Sequence, residues 1–318
     1  MPVVVPLADI KTALAAIDPL PLIEAGFVAY SRGRAVVPPV GELVFDDPPG
    51  DVHIKYGYIR DGEVYVIKVA SGFPDNLRLG LPSGDGLMLV FDRRTGVLRA
   101  VLLDEGHLTN LRTAAAGAVA AKYLAPADVT AVGILGAGVQ GRMQLDWLRR
   151  VRRFDRAVVW GLDEAELAAY RRDMEGPGLA VRTTLRAEDV AAAANLIVTC
   201  TPSTTPLLRA EWIRPGTHIT AMGSDTAGKQ ELDPAILARA GRVVVDSLSQ
   251  SELRGEVYRA VAAGAIGRDK PVELGRVIEE PALRRASPEE ITVADLTGVA
   301  VQDIQIAQAV WDRIRGTS

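Results

Sequence analysis

The chain carries one cysteine, Cys200, in 318 residues. A disulfide framework and a cysteine-cluster metal site are both excluded. Histidine is nearly as scarce. His53, His107 and His218 lie far apart in sequence, so no histidine pair has metal-ligand spacing and no metal is expected. Charge of one sign is also lacking. Thirty-six Lys and Arg stand against 40 Asp and Glu, a formal net charge of −4. No basic field exists to attract a phosphate backbone, and nucleic-acid binding is not expected. Long apolar runs are missing too. The longest, residues 113–121, stops at Lys122, far short of the roughly 20 residues a membrane helix needs. The opening MPVVVPLADI has no basic segment followed by a long apolar one, so no signal peptide is legible. The expectation is a soluble cytoplasmic protein without membrane partners. A hydrophobic content of 48% over 318 residues is enough for sizeable cores, and the length suits two domains.

Two grammars follow one another along the chain. Residues 6–33 read as mostly helical, with Asp18 able to cap and Leu20, Ile23, Phe27 and Tyr30 on one face. Residues 35–103 alternate Val-rich segments with turns at Asp61-Gly62, Gly84-Asp85-Gly86 and Thr95-Gly96. That pattern predicts a mainly antiparallel sheet. An Ala-rich helix, 109–124, stops before Pro126. From 127 onward strands and helices alternate: strands at 129–135, 157–160, 180–182, 196–201, 218–222 and 242–246, with helices between. Such alternation predicts a parallel, doubly wound α/β sheet. The domains expected are 1–125 and 126–297, with an amphipathic helix over 298–318 returning to the first.

The clearest motif is Gly136-Ala137-Gly138-Val139-Gln140-Gly141. It is G-x-G-x-x-G, placed after a strand and before a helix, which is the context a dinucleotide site requires. The first glycine makes the turn, the second admits a pyrophosphate, and the third lets helix and strand pack closely. The next strand ends near Gly161, and Asp163 follows. Asp163 either reaches the adenosine ribose or caps the next helix. With no Arg or Lys there to meet a 2′-phosphate, NAD is favoured and NADP left open.

Three further polar residues stand in apolar or Gly-rich surroundings. Lys68 lies inside the strand Val64–Ala70, and Arg112 heads the Ala-rich helix. Buried cations need partners. They form either internal ion pairs, with Asp92 or Asp104 for example, or a clamp for a substrate carboxylate. Asp225, in Gly223-Ser224-Asp225-Thr226, follows a strand of the second domain. It either exchanges protons with an amine or imine, or fixes its loop as an Asx-turn. Cys200, Trp147 and Trp212 read as packing, the histidines as surface, turn or strand residues, and Arg149–Arg153 as a solvated helix end.

Taken in order, Lys68–Asn76, Gly80–Ser83, Leu108–Ala115, the glycine turn, Gly223–Leu232 and Asp295–Asp303 resemble the ornithine cyclodeaminase/μ-crystallin family across nearly the whole chain. The resemblance implies a Rossmann domain joined to an α+β substrate and dimerisation domain, and a homodimer formed through the N-terminal sheets. It implies NAD(P)-dependent oxidoreductase chemistry on an α-imino acid, ketimine or iminosuccinate-like, or the reverse. The alternatives within the family are an ornithine cyclodeaminase, an ammonia lyase forming proline, and a non-catalytic nucleotide-binding protein. It further implies that Arg34, Lys68 and Arg112 hold the substrate carboxylate, with Arg32 a less well placed rival for Arg34. Ser83 is near the substrate, and Asp225 with Lys68 is catalytic. Cofactor contacts are implied for Thr109, Gly136–Gly141 including Ala137, Val139 and Gln140, and for Thr201, Gly223 and Ser224. One position departs from the ornithine enzymes. Where they carry an acid 13 residues before the strand lysine, this chain has Lys55. A cation there repels the distal ammonium of ornithine and suits a second carboxylate, unless Lys55 is simply solvated at a strand end.

Overall fold

The first helix stops at Leu14 and Asp18 starts another: its carboxylate accepts the N–H of Leu20 at 3.2 Å, and Pro19 occupies the first helical position. The stretch predicted as mostly helical is therefore two helices and a short strand. The computed structural model describes residues 1–316. In chain order they form β1 (Val3–Pro6), α1 (Leu7–Leu14), α2 (Pro19–Ser31), β2 (Ala35–Val36), β3 (Gly41–Asp46), β4 (Pro49–Ile59) and β5 (Val64–Gly72). A 3-10 turn (Pro74–Leu79), β6 (Gly84–Asp92), β7 (Leu98–Leu103) and α3 (His107–Leu124) follow.

The strands make one sheet in the order β1-β7-β6-β5-β4-β2, with β3 on β4. Only the β1–β7 pairing is parallel. Side chains alternate faces along a strand, so His53, Lys55, Val64, Val66, Lys68, Met88, Val90, Ala100 and Leu102 share one buried face. The expected turn at Gly84-Asp85-Gly86 is instead the start of β6, and the hairpin loop is residues 73–83.

The second sheet is built from β8 (Val132–Leu135), α4 (Val139–Leu148), β9 (Arg156–Trp160), α5 (Glu164–Met174), β10 (Ala180–Thr184), α6 (Ala187–Ala193), β11 (Leu196–Thr199) and β12 (His218–Ala221). The chain goes on through α7 (Pro234–Arg239), β13 (Arg242–Val245), α8 (Gly255–Ala262), β14 (Val272–Glu273), α9 (Leu274–Glu279) and β15 (Thr292–Asp295). The order is β10-β9-β8-β11-β12-β15-β13-β14, all parallel. Strands covered on both faces read as unbroken apolar runs, as β8 does and β11 does up to Thr199. The winding reverses between β8 and β11, and ligands of such sheets bind outside the carboxyl ends of the strands at that point. Gly133 in β8 has no room for a side chain: a Cβ would lie 2.5 Å from Val190 of α6.

Finally α10 (Ala300–Arg315) packs on α2, β4 and β5. At this contact a Cβ on Gly26 would sit 3.1 Å from Gln305. Contacts divide the chain into Met1–Thr113 with the residues from Val299, and Ala114–Gly298. The break thus falls inside α3, and the domains expected from sequence ended at 125 and 297. Two arginines close the C-terminal end of α3. Arg152 Nη2 donates to the carbonyl of Lys122 at 2.8 Å and Arg285 Nε to that of Leu124 at 2.8 Å. Arg152 is therefore not part of a solvated helix end; α4 stops at Leu148 and Arg152 turns inward. His218 is likewise a core residue, held between the hydroxyls of Thr292 and Thr220 at 2.8 and 3.0 Å. Burial keeps its imidazole neutral well below the usual pKa.

Candidate active site

The three glycines after β8 have different reasons to be glycine. Gly136 has φ +117°, and a Cβ there would lie 3.0 Å from the carbonyl of Cys200. A Cβ on Gly141 would be 2.0 Å from the carbonyl of Gly136. These two are required by the fold. A Cβ on Gly138 would meet no atom of the described residues within 4 Å. Among the described residues nothing fills that space, and Gly138, the residue before α4, carries no side-chain cap. The leading N–H groups of α4 and an open cradle at Gly138 fit a phosphate. The turn is braced from α4 and α5. Arg142 Nη1 donates to the carbonyl of Ala137, and Nε to Asp173 at 3.0 Å. The buried Tyr170 hydroxyl donates to the carbonyl of Gly141 at 2.9 Å. Asp163 caps α5, its Oδ1 accepting the N–H of Glu166 at 2.9 Å. With Glu164 and Glu166 it makes the start of α5 acidic.

The neighbouring strand ends are organised by two buried acids. Glu231 Oε1 accepts the N–H and the hydroxyl of Thr201, both at 2.7 Å. Its Oε2 accepts the hydroxyl of Thr199 and the N–H of Gly223, both at 2.8 Å. Glu256, on α8, accepts the N–H of Glu231 at 2.7 Å, the N–H of Leu232 at 3.1 Å and the hydroxyl of Ser224. Gly223 is glycine because a Cβ would fall 2.1 Å from the carbonyl of Thr201. Burial, then Glu256, pushes the Glu231 carboxyl up to about 7. Asp225 follows on the same loop, a third exposed, and accepts Lys229 Nζ at 2.7 Å. Arg254 donates to the carbonyl of Asp225 at 2.9 Å, and Arg259 to that of Gly228 at 2.7 Å.

In the other unit, Lys55 and Lys68 are direct cross-strand partners on the buried face, 4% and 2% exposed. Lys55 is therefore not a solvated strand-end residue. Asp104 caps α3 through the N–H of Leu108 at 2.8 Å and sits in the field of both Lys68 and Asp303. Burial is the main reason its carboxyl rises to about 6. Arg112 donates from Nε to Asp303 and from Nη1 to Gln302, both at 3.0 Å. Those two side chains come from α10. Nη2 is what the guanidinium has left for a ligand. Oδ1 of Asp104, Oδ2 of Asp303 and Nε2 of Gln302 are buried without a hydrogen-bond partner.

The sequence profile of the ornithine cyclodeaminase/mu-crystallin family matches residues 2–318. The chain belongs to this family. It is 41% identical to an uncharacterized cyclodeaminase of Sinorhizobium fredii, over 93% of this chain and 91% of that one. It is 36% identical to the iminosuccinate reductase of Paracoccus denitrificans, over 96% and 93%. Among solved structures, an archaeal alanine dehydrogenase dimer with bound NAD superposes with a TM-score of 0.89. It is 33% identical, covering 99% of this chain and 97% of that one.

Against the residues implied by the family resemblance, the structure gathers some and not others. Lys68, Lys55 and Arg112 are all buried in one unit, and Lys68 and Arg112 are linked through Asp104 and Asp303. Arg34 stands apart. It is half exposed and paired with Asp61, and its neighbour Ala35 pairs with Ile59, four residues from Lys55 or about 13 Å of strand. Ser83 is an exposed loop residue whose carbonyl accepts the N–H of Phe73 at 2.8 Å. Thr109 is half buried in the first turn of α3. Thr201 and Ser224 turn their hydroxyls inward onto Glu231 and Glu256. Asp92 is no partner of Lys68; it pairs with Arg99 at 2.7 Å. His53 is not a surface residue but 7% exposed, beside Glu42 at 3.2 Å.

The raised Asp104 has a consequence for stability. Between its unfolded value of 3.8 and about 6, the folded chain holds a proton there that the unfolded chain has lost. Stability contributed below pH 3.8 is thus lost as pH rises through 6. Asp104→Asn keeps a capping side chain and removes the titration. Urea unfolding should show the variant gaining about 2 kcal/mol on the parent between pH 4 and 7. A constant difference across that range would contradict the assignment.

Proposed function

We propose that the chain is an NAD(H)-dependent oxidoreductase that reduces an α-imino acid to an amino acid, or runs the reverse. The observation that carries this is the buried Lys55, Lys68 and Arg112 group, which suits carboxylates, in a family whose members named above include NAD-linked enzymes of amino and imino acids. The Gly138 cradle and the uncapped start of α4 fit the pyrophosphate of the cofactor. The acidic start of α5 disfavours a 2′-phosphate, so NAD is preferred to NADP. Bound nicotinamide supplies or accepts the hydride.

The chain's own residues then have distinct tasks. Arg112, its Nε and Nη1 fixed by Asp303 and Gln302, offers Nη2 to the substrate carboxylate, and Lys68 adds a second charge. Held in one orientation, the substrate presents a single carbon to the reaction. Asp225, steadied by Lys229, gives a proton to the substrate nitrogen on reduction and takes one on oxidation. Lys55 reads a second carboxylate, which makes a dicarboxylic imino acid such as iminosuccinate the preferred substrate class. In the family pattern Arg34 has the role of a clamp residue; its half-exposed pairing with Asp61 favours Lys55 in that place. The open face of the first sheet carries the stacked Tyr65–Phe91 pair and the exposed Tyr56, and supports a homodimer through this domain. Light scattering should give twice the chain mass, and a monomer would refute the dimer.

The reaction is tested by absorbance of reduced nicotinamide with oxaloacetate and ammonia, pyruvate and ammonia, and cyclic imines, beside ornithine with NAD and an ammonia readout. Cofactor oxidation with an imino acid is expected. Ammonia release from ornithine without net cofactor change would establish the cyclodeaminase instead. Lys55→Met should raise KM for the dicarboxylic imine about tenfold or more and leave the pyruvate reaction nearly unchanged. An equal loss on both would make Lys55 part of the common clamp. Gly138→Ala meets no atom of the described residues, so its Tm should match the parent. Its Kd for NADH should rise about tenfold or more, because the Cβ occupies the phosphate cradle. Unaltered binding would remove the phosphate from this position.

A further inference from the structure

The chemistry above leaves two fully buried carboxylates of the second unit unused. Glu231 is 0% exposed and Glu256 1%. Neither faces a neutralising cation at bonding distance. Glu231 is faced by Glu256 and by the Cys200 thiol, and Glu256 lies in the field of Asp295 and of Arg259. Charges in such surroundings cost free energy, so they are retained for what they hold.

What they hold differs. Glu231 receives four donors, and these come from the ends of two strands: Thr199 and Thr201 at β11, Gly223 at β12. Two of the four are backbone N–H groups, which cannot turn to another partner. A carboxylate has the lone pairs for all four; an amide in its place has one oxygen and two hydrogens, and would set a donor against a donor. Thr201 also lies against Gly136, where a Cβ would come within 3.1 Å of its methyl. Glu231 thus fixes the wall beside the glycine turn. Glu256 also accepts the N–H groups of Glu231 and Leu232, but it alone takes the Ser224 hydroxyl, one residue before Asp225, from the helix whose Arg259 holds the carbonyl of Gly228.

We infer that Glu231 and Glu256 are positioning residues with separate tasks, Glu231 for the dinucleotide and Glu256, through Ser224, for Asp225. The inference rests on the reading of the glycine turn and Asp225 given above.

The test is made on the full-length protein with Glu231→Gln, Glu256→Gln and Thr199→Val. NADH affinity is read by fluorescence titration without imino acid, kcat at saturating cofactor, and folding by thermal unfolding. Glu231→Gln should raise the NADH Kd about tenfold or more while kcat stays within about threefold. Glu256→Gln should lower kcat about tenfold or more while the NADH Kd stays within about threefold. Thr199→Val removes one donor to Glu231 at nearly constant shape and should raise the Kd a few-fold. If folded variants move neither quantity, or move both alike as a loosened domain would, the assignment is overturned. Should Glu231→Gln not fold, an unaltered Kd in Thr199→Val overturns it. A parent protein that binds no NADH overturns the reading of the glycine turn and this inference with it. Parent binding that survives in Glu231→Gln overturns the inference alone.

Discussion

A charged side chain taken out of water loses several kcal/mol of hydration unless hydrogen bonds and opposite charge replace it. Each unit meets this demand with the opposite sign. On the sheet face of the first, two lysines sit side by side, and acids arrive from helices: Asp104 at the start of α3, in the field of Lys68, and Asp303 from α10, bonded to Arg112. In the second, the buried charged groups are acids apart from Arg254, and the compensation comes mostly from the backbone. Glu231 takes the N–H groups of Thr201 and Gly223, Asp246 that of Gly298, and Asp295 that of Val257. A loop whose N–H is committed to a buried carboxylate has one conformation rather than several. The polar interior therefore shapes the strand ends, while the apolar core fixes the layers.

This division explains what could be read from the chain. The glycine turn was legible because its constraints are local: Gly136 and Gly141 are forced by atoms within a few residues of sequence or on the adjoining strand end. Strand–helix alternation from β8 to β13 was legible for the same reason. β1, β3 and β15 were not. The strands β1 and β15 are four residues each, with no period to detect, and β15 inserts between β12 and β13 only because the sheet leaves it that slot. Asp163 could be a ribose ligand or a cap on spacing alone; the fold shows the cap, made through Oδ1 to the N–H of Glu166. Glu231 lay in a stretch already noticed, yet its partners stand 8 to 32 residues away. Glu256 gave no local signal at all. Arg34 was named by its motif, and its pairing with Asp61, 27 residues away, is a contact that the motif does not show.

One short helix does much of this work. From α8 and the residue before it come Glu256, Arg254 and Arg259. The acid holds the loop of Asp225 by the Ser224 hydroxyl, and the two arginines hold it by the carbonyls of Asp225 and Gly228. Donor and acceptor grips on successive residues fix both the path and the tilt of the loop, which a single grip cannot do.

The dependence of Arg112 on α10 has a consequence in time. The arginine and its partner Asp303 are 191 residues apart. At about 5–20 residues per second, a ribosome takes on the order of 10–40 s to travel that distance. During that interval the first sheet has been made, yet its cation-bearing face lacks the helix that covers it. The second unit, contiguous in sequence, is complete before the first. The unit that begins the chain is thus the last to be finished, and a newly made chain passes through a stage in which the parallel sheet exists and Arg112 still lacks Asp303 and Gln302.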